Sequence, residues 1–163
     1  MFVDIVKFPL DKASFSFAQC LGYSKIFTLK ECPLKIVDGV SDAVNRKAVE
    51  NKNVDIRLNP HQLRGKDHLH YRRSGLNHVL CRLAHKNHVA VAFSFDSLQD
   101  SFDFGRVRQN ISLCRKYNVS LYFFSLASSS STLHSASDVL SLLRHLGMSP
   151  GDAQEALSHP KLL

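Results

Sequence analysis

The stretch SGLNHVLCRLAHKNHVAVAFSF, residues 74–95, decides the fold class of this chain. In its first part, apolar residues recur at the i, i+3, i+4, i+7 and i+8 spacing of an amphipathic helix: Leu76, Val79, Leu80, Leu83 and Ala84. On a helical wheel their directions fall within about 140°, the width of a core-facing stripe. Residues 88–95 are apolar almost throughout, as in a strand that is buried on both faces. A helix that leads directly into such a strand predicts an α/β fold.

The same alternation of helix and strand extends over the rest of the chain. Strands are predicted at 2–8, 24–29, 34–37, 53–58, 88–95 and 118–127. Helices are predicted at 11–21, 41–50, 74–87, 102–117, 137–146 and 149–157. Three helix ends carry their own signals: Gly22 after the first helix, Ser41 or Asp42 as the N-cap of the second, and Ser149-Pro150 at the start of the last.

Strands buried on both faces and linked by helices imply a mostly parallel sheet covered by helices. A barrel and an open doubly wound sheet both fit this pattern. The six predicted strands are fewer than the eight of a full (β/α)₈ barrel, which usually needs ~250 residues. A length of 163 residues predicts a single domain that spans residues 1–163.

The charge balance indicates a polyanionic partner. Lys and Arg together number 21 against 14 Asp and Glu, a net charge of +7, and nine histidines add positive charge near phosphates. Nucleic acid and an anionic membrane surface are both partners of this kind. No apolar run approaches the ~18 residues of a membrane span. Residues 1–12 resemble neither a signal nor a transit peptide, so the protein is expected to stay in the compartment where it is made.

The four cysteines do not have the spacing of a metal site. Cys20, Cys32, Cys81 and Cys114 form no C-x-x-C pair, and the last two fall inside predicted helices. We therefore expect reduced thiols that act as small apolar fillers.

Residues 61–73, named here the basic loop, hold the densest positive charge. Its cations are Arg64, Lys66, Arg72 and Arg73, with His61, His68 and His70, against the single carboxylate of Asp67. The loop follows a predicted strand and precedes a helix, the position where α/β proteins bind ligands. We expect it to track an RNA backbone, with Arg72 and Arg73 beside a helix N-terminus that Ser74 caps. A solvated charged loop is the alternative.

Two predicted helices continue the positive charge. On the helix of residues 74–87, His78, Arg82 and His85 lie opposite the apolar stripe. The helix of residues 102–117 carries a second basic set: Arg106, Arg108, Arg115 and Lys116. The face with His78, Arg82 and His85 suits RNA or an acidic protein partner, and it also suits an ordinary solvated helix surface.

The pair His68-Leu69-His70 is the one arrangement that invites a metal ion. In a strand, residues i and i+2 point to the same side and could share an ion. Asp67 is the only nearby carboxylate, however, and the surrounding cations repel a metal, so no bound metal is expected. Asp4 and Asp55 could converge in a barrel, but solvation or capping is the favoured role for both.

Several blocks of the sequence resemble the ribonuclease P protein component 3 family. They are RSGLNHVL at 73–80, LAHKNHVA at 83–90, RQN at 108–110 and LCRKYNV at 113–119, followed by a weaker block through 133–148. The resemblance covers about residues 53–163, and the sequence of residues 74–78 is most similar to that of archaeal members. It implies a TIM-barrel-like fold. Because the chain is shorter than typical members, a barrel strand or helix is expected to be missing or trimmed.

The chain also departs from the family pattern in two stretches of its sequence. Arg73 stands where the family usually has Asp, and residues 134–137 replace a stretch that usually carries Arg. The family is related to PHP-type metal hydrolases, which carry D-x-H-x-H on the first strand. Here that strand reads VDIVK at residues 3–7, without a histidine, so the metal site is expected to be lost.

The resemblance implies a subunit of ribonuclease P that is not catalytic alone. It implies partners: the catalytic RNA with its Mg²⁺, a ferredoxin-like ribonuclease P protein component 2, and precursor tRNA within the holoenzyme. It also implies the cytoplasm as location, or the nucleus for a eukaryotic source. The residues expected to contact RNA or another subunit are Arg64, Lys66, Arg72, Arg73, His78, Arg82, Arg108, Arg115 and Lys116. The alternative function is a stand-alone, PHP-like metal-dependent phosphoesterase.

Overall fold

Strands and helices alternate along the residues that the structure, a computed structural model, describes, namely 1–67 and 69–159. The strands are β1 (Phe2–Val6), β2 (Tyr23–Thr28), β3 (Ile36–Val37), β4 (Ile56–Leu58), β5 (Ala90–Ser94) and β6 (Leu121–Phe124). The α-helices are α1 (Lys12–Cys20), α2 (Asp42–Glu50), α3 (His78–Asn87), α4 (Ser101–Lys116), α5 (Ala136–His145) and α6 (Pro150–Ser158). The predicted α/β class is confirmed. No helix among these residues combines the length and the apolar character needed to cross a membrane.

The chain divides into two compact units. The first comprises Met1–Pro33, Ser94–Asp96 and the segment that begins at Tyr122, and the second comprises Leu34–Phe93 and Ser97–Leu121. The assignment of residues 1–163 to a single domain stays a prediction.

The first unit is built on the parallel pair of β1 and β2. Val3 is aligned with Lys25 and Val6 with Thr28. β1 is the more buried strand, because Val3, Ile5 and Val6 expose none of their surface. A cluster of buried apolar side chains packs around Val6: Ala18, Tyr23, Ile26, Ala127, Leu133 and Ala136.

Asp4 lies inside this buried strand. Its Oδ1 atom accepts hydrogen bonds from the N–H groups of Ile5 at 2.8 Å and Ser125 at 2.7 Å. Its Oδ2 atom is buried and has no hydrogen-bond partner among the described residues. Burial therefore raises the pKa of Asp4 to about 6, against the opposing effect of the bonds from Ser125 and Ile5. The expectation that solvent surrounds Asp4 is wrong.

The second unit contains β3, β4 and β5, which pair in parallel in that order. Every residue of β4 and β5 is buried, as the apolar sequence of residues 90–93 predicts. Arg57 of β4 differs from the apolar residues around it, because it is fully buried yet charged. Its Nε donates to Asn45 Oδ1 at 2.6 Å, and its terminal nitrogens donate to the carbonyls of Val37 at 3.0 Å and Gly39 at 2.6 Å. Burial lowers the pKa of Arg57 to about 10, so it stays protonated at neutral pH and ties β4 to the segment before α2.

Helix α3 begins later than predicted. Residue 74 was expected to be helical, but Gly75 has φ +79° and the first helical residue is His78. Asn77 is the N-cap, and its side chain accepts a hydrogen bond from the N–H of Leu80 at 2.9 Å. The buried face is formed by Leu80, Cys81 and Ala84, whereas Val79, predicted to be in the core, is 47% exposed.

Candidate nucleic-acid interface

Asp67 holds the basic loop in place. Its Oδ1 atom accepts hydrogen bonds from Nε of Arg106 at 2.8 Å and from the N–H of Arg73 at 3.0 Å. The terminal nitrogens of Arg106 donate to the carbonyls of Leu63 at 3.2 Å and Gly65 at 2.9 Å. Desolvation raises the pKa of Asp67, but the N–H of Arg73 and the nearby guanidinium groups outweigh it and hold that pKa below its usual value. The carboxylate is therefore ionised at neutral pH.

Arg106 has a structural role. The sequence groups it with Arg108 and Arg115 in a basic set, but it is 7% exposed and its hydrogen bonds go to the basic loop. The expectation that His61 adds positive charge to the basic loop is also wrong. It is fully buried, and burial lowers its pKa to about 4, so it is neutral at pH 7.

The junction between the basic loop and α3 is clamped from α4. Gln109 Oε1 accepts from the N–H of Arg72 at 3.1 Å, and its Nε2 donates to the carbonyl of Arg72 at 3.1 Å and to Ser74 Oγ at 2.8 Å. Asn110 donates to the carbonyl of Ser74 at 2.7 Å. Ser74 is buried and engaged in these bonds, while Asn77 caps the helix, so the prediction that Ser74 caps α3 is wrong.

A groove of about 800 Å³ opens beside this junction and is named here the basic groove. Its walls come from α2, the basic loop, the start of α3, and α4. Its charged and aromatic lining residues are Arg46, Arg72, Arg73, Lys116, His78, Asp42, Tyr71 and Tyr117. Four permanent cations thus face the same space as one carboxylate, which favours an anionic ligand.

Each arginine of the groove is paired with a carboxylate. The pairs are Arg46–Glu50 at 2.8 Å, Arg72–Asp67 at 3.3 Å and Arg73–Asp42 at 3.0 Å. The three arginine side chains are 67%, 47% and 39% exposed. Exposed pairs of this kind contribute about 0–1 kcal/mol each, so a phosphate can compete for the guanidinium groups. An arginine has five donors, which lets it hold its carboxylate and a phosphate together.

Two further cations gather around one aromatic ring. The guanidinium carbon of Arg82 lies 5.6 Å from the centre of the Tyr117 ring, and the ammonium of Lys116 lies 5.8 Å from it. Both distances are those of cation–π contacts. Within residues 1–67 and 69–159, no carboxylate lies within ion-pairing distance of Arg82 or Lys116.

The structure brings together some of the sequence-predicted residues and not others. Arg72, Arg73, His78 and Lys116 line the basic groove, and Arg82 adjoins it through Tyr117. The remaining predicted contacts are exposed but do not line it: Arg64, Lys66, Arg108 and Arg115. RNA or subunit contact by all of these residues stays a prediction.

Sequence reasoning missed Arg46. It lies on α2, which carries no run of basic residues, and only the packing of α2 against α3 brings it to the groove. The spacing of Arg46 and Glu50 four residues apart indicates an exposed helix face and nothing more specific.

The potential metal ligands do not cluster. Across residues 1–67 and 69–159, no three His, Cys, Asp or Glu side chains are placed to hold an ion together. His70 is exposed, and His68, the other member of the H-x-H pair, lies outside the described residues. The expected absence of a metal stays a prediction.

Comparison with known proteins places the chain in a family. The family model described as RNase P subunit p30 matches residues 18–163. The chain belongs to this family. It is 39% identical over 132 residues to ribonuclease P protein component 3 of Methanococcoides burtonii, covering 77% of this chain and 52% of that protein. It is also 39% identical over 129 residues to the same component of Methanosarcina acetivorans, covering 76% and 51%. The resemblance predicted from the sequence blocks is thereby confirmed.

The chain spans about half the length of the curated relatives that it matches. A chain in the cryo-EM structure of archaeal ribonuclease P with mature tRNA superposes with a TM-score of 0.65 at 22% identity. That match covers 94% of this chain and 76% of the other. The similarity shows that the two share a fold, in agreement with a reduced TIM-barrel-like architecture.

Proposed function

We propose that this chain is a protein component of ribonuclease P that supports the catalytic RNA in removing the 5′ leader from precursor tRNA. The basic groove is the observation that carries the proposal, because a member of the RNase P subunit p30 family has four cations facing one accessible space. The buried pair of Asp67 and Arg106 and the clamp from Gln109 hold that surface in one arrangement.

The proposed role of the groove is electrostatic. Phosphates of the RNA displace counterions and compete for Arg46, Arg72 and Arg73, while Lys116 supplies a charge that no carboxylate of the described residues offsets. Contacts of this kind position an RNA without selecting its sequence. Asp67 and Gln109 hold the backbone of Arg72 and Arg73, so little backbone freedom of that segment is lost on binding.

Catalysis in this proposal belongs to the RNA with its Mg²⁺, and the chain contributes no catalytic group. Its partners are the ribonuclease P RNA, a ferredoxin-like component 2 and, in the holoenzyme, precursor tRNA. The proposed location is the cytoplasm, or the nucleus for a eukaryotic source.

Reconstitution tests this function. Precursor-tRNA cleavage is measured with the catalytic RNA and the other protein components, with this chain present, omitted, or carrying Arg46→Ala, Arg73→Ala and Lys116→Ala together. We expect slower cleavage or a higher magnesium requirement on omission, and a similar but smaller defect with the triple variant. Omission without effect on rate or magnesium requirement contradicts the proposal. Phosphoesterase activity of the chain alone with Zn²⁺ or Mn²⁺ would favour the metal-dependent phosphoesterase instead.

A further inference from the structure

Arg82 and Lys116 differ from the three arginines of the basic groove in how their charge is balanced. Each of those arginines lies against a carboxylate. Within residues 1–67 and 69–159, no carboxylate lies within ion-pairing distance of Arg82 or Lys116, and both residues are exposed. Their charged groups lie 5.6 Å and 5.8 Å from the centre of the Tyr117 ring, so two uncompensated positive charges meet at one ring.

The stability of the helices accounts for only one of these two cations. Lys116 lies in the last turn of α4, where the helix dipole favours a positive charge. Arg82 lies in the interior of α3, where the dipole gives no such preference. Each cation–π contact favours its own cation, whereas the repulsion between the two cations opposes the presence of both. An anion bound beside them would remove that repulsion.

Tyr117 is anchored on the elements that carry the two cations. Its N–H donates to the carbonyl of Leu113 at 3.1 Å and so ends α4. The carbonyl of the next residue, Asn118, accepts a hydrogen bond from Nδ1 of His85 at 2.8 Å. His85 lies on α3 one turn after Arg82, so this bond ties the helix that carries Arg82 to the segment that carries the ring. The half-buried ring therefore lies between cations from two helices.

We propose that Arg82 and Lys116 together bind the phosphate backbone of RNA, and that Tyr117 is a positioning residue that holds both cations for it. This inference rests on the proposed function that the chain binds RNA. A guanidinium and an ammonium are both phosphate ligands, the first through paired donors and the second as a point charge. Because contact with the ring limits the freedom of both side chains before binding, less of that freedom is lost when the phosphate binds.

The test changes the ring without changing the charge. The affinity of the full chain for the ribonuclease P RNA is measured at one salt concentration. Tyr117→Leu should weaken binding roughly 2- to 10-fold, since both cation–π contacts are lost, and Tyr117→Phe should bind as tightly as wild type. In a background of Arg82→Ala with Lys116→Ala, Tyr117→Leu should have no further effect on affinity, because no cation is left to position. A ring that matters only for folding would weaken binding in both backgrounds.

A second comparison separates the position of a cation from its charge. Lys86 lies one turn after Arg82 on α3, is exposed and does not line the basic groove. Arg82→Ala and Lys86→Ala thus remove the same charge from the same helix. We expect Arg82→Ala to weaken RNA binding roughly tenfold, as for the loss of one charge-assisted contact, and Lys86→Ala to have less than a twofold effect. This comparison holds even if Tyr117→Leu does not fold, which circular dichroism checks.

Four outcomes overturn the inference and leave the proposed function standing. They are wild-type affinity of Tyr117→Leu, an equal loss in Tyr117→Phe, an equal loss from Tyr117→Leu in the background without the two cations, and equal losses for Arg82→Ala and Lys86→Ala. A chain that binds no RNA overturns both, and binding of polyglutamate in its place would indicate an acidic protein partner.

Discussion

Asp67 and Arg106 form the ion pair that joins the basic loop to α4, with Oδ1 and Nε 2.8 Å apart. Their side chains are 14% and 9% exposed, whereas the other pairs around the basic groove involve arginines that are 39% or more exposed. A largely buried guanidinium that loses its carboxylate is left charged in a poorly solvated place. Asp67 is therefore the residue on which the order of the groove depends most.

Asp67→Ala should lower the free energy of unfolding by about 2–4 kcal/mol, because Arg106 and the N–H of Arg73 both lose their acceptor. Asp67→Asn keeps an acceptor oxygen and should cost roughly half as much. Asp42→Ala is the matched control, since its pair with Arg73 is exposed and contributes about 0–1 kcal/mol. Urea denaturation at pH 7 measures all three. Equal losses for Asp67→Ala and Asp42→Ala would show that the buried pair has no special weight.

Asp4 should make the protein less stable as the pH rises from about 4 to 7. Its pKa is about 6 in the folded protein and about 3.9 in an unfolded chain. Below pH 4 both states carry the proton, and the full stability is present. Between these values Asp4 ionises in the unfolded chain but keeps its proton in the folded protein. The free energy of unfolding therefore falls by about 3 kcal/mol in all and levels off above pH 6.

Asp4→Asn cannot ionise and should remove this part of the pH dependence. The difference between the variant and wild type, taken from thermal or urea unfolding at pH 4 and pH 7.5, should favour the variant more at pH 7.5. A difference that is the same at both pH values would mean that Asp4 titrates near its ordinary value in the folded protein.

Gly105 lies on α4 under the guanidinium of Arg72. A Cβ atom at this position would come within 2.4 Å of Arg72 Cζ, so Gly105→Ala must push that flexible group away from its place beside Asp67. Alanine also favours the helix by up to about 1 kcal/mol over glycine. We expect unchanged or slightly raised stability together with weaker RNA binding.

Gly151→Ala is the control for Gly105→Ala, because the nearest atom to its added Cβ is Ser149 Oγ at 4.0 Å. It should raise stability modestly and leave RNA affinity alone. RNA affinity that stays at the wild-type value in Gly105→Ala would show that the placement of Arg72 is unimportant.

Gly75→Ala should destabilise the protein by more than about 3 kcal/mol or prevent folding. The residue has φ +79°, and an added Cβ would lie 1.8 Å from the carbonyl oxygen of Pro60 and 2.6 Å from Asn45 Nδ2. Gly147→Ala separates the two causes, because Gly147 has φ +102° but nothing within 4 Å. That variant should cost only the backbone term of about 1–2 kcal/mol. Equal losses for the two variants would exclude the steric cause at Gly75.

Features with local signals were predictable from the sequence. Ser41 accepts from the N–H of Val44 and caps α2, and Gly22 with φ +96° follows α1 as expected. Ser149 and Pro150 start α6, with Asp152 completing a capping box. Each of these ends is decided by residues within four positions of one another, so single-sequence reasoning reaches them.

Features set by contacts distant in sequence were not predictable. The helix pattern extends back to residue 74, but Gln109 and Asn110, 35 and 36 positions away, bind Ser74 and hold that segment outside the helix. Arg106 looked like one of a basic set because its burial depends on a loop about 40 residues earlier. Arg46 was not predicted for the same reason, since it reaches the groove only because α2 packs against α3.

The salt dependence of binding to the ribonuclease P RNA shows whether that RNA occupies the basic groove. For wild type and for Arg73→Ala with Lys116→Ala, the logarithm of the affinity is plotted against the logarithm of the salt concentration. Each lost phosphate contact should flatten the slope by about 0.7–0.9, so the double variant should lose about 1.4–1.8. Lys52→Ala with Lys86→Ala removes two exposed cations that do not line the groove and should leave the slope unchanged. A groove variant with the wild-type slope, or a control pair that flattens it equally, would contradict RNA binding in the basic groove.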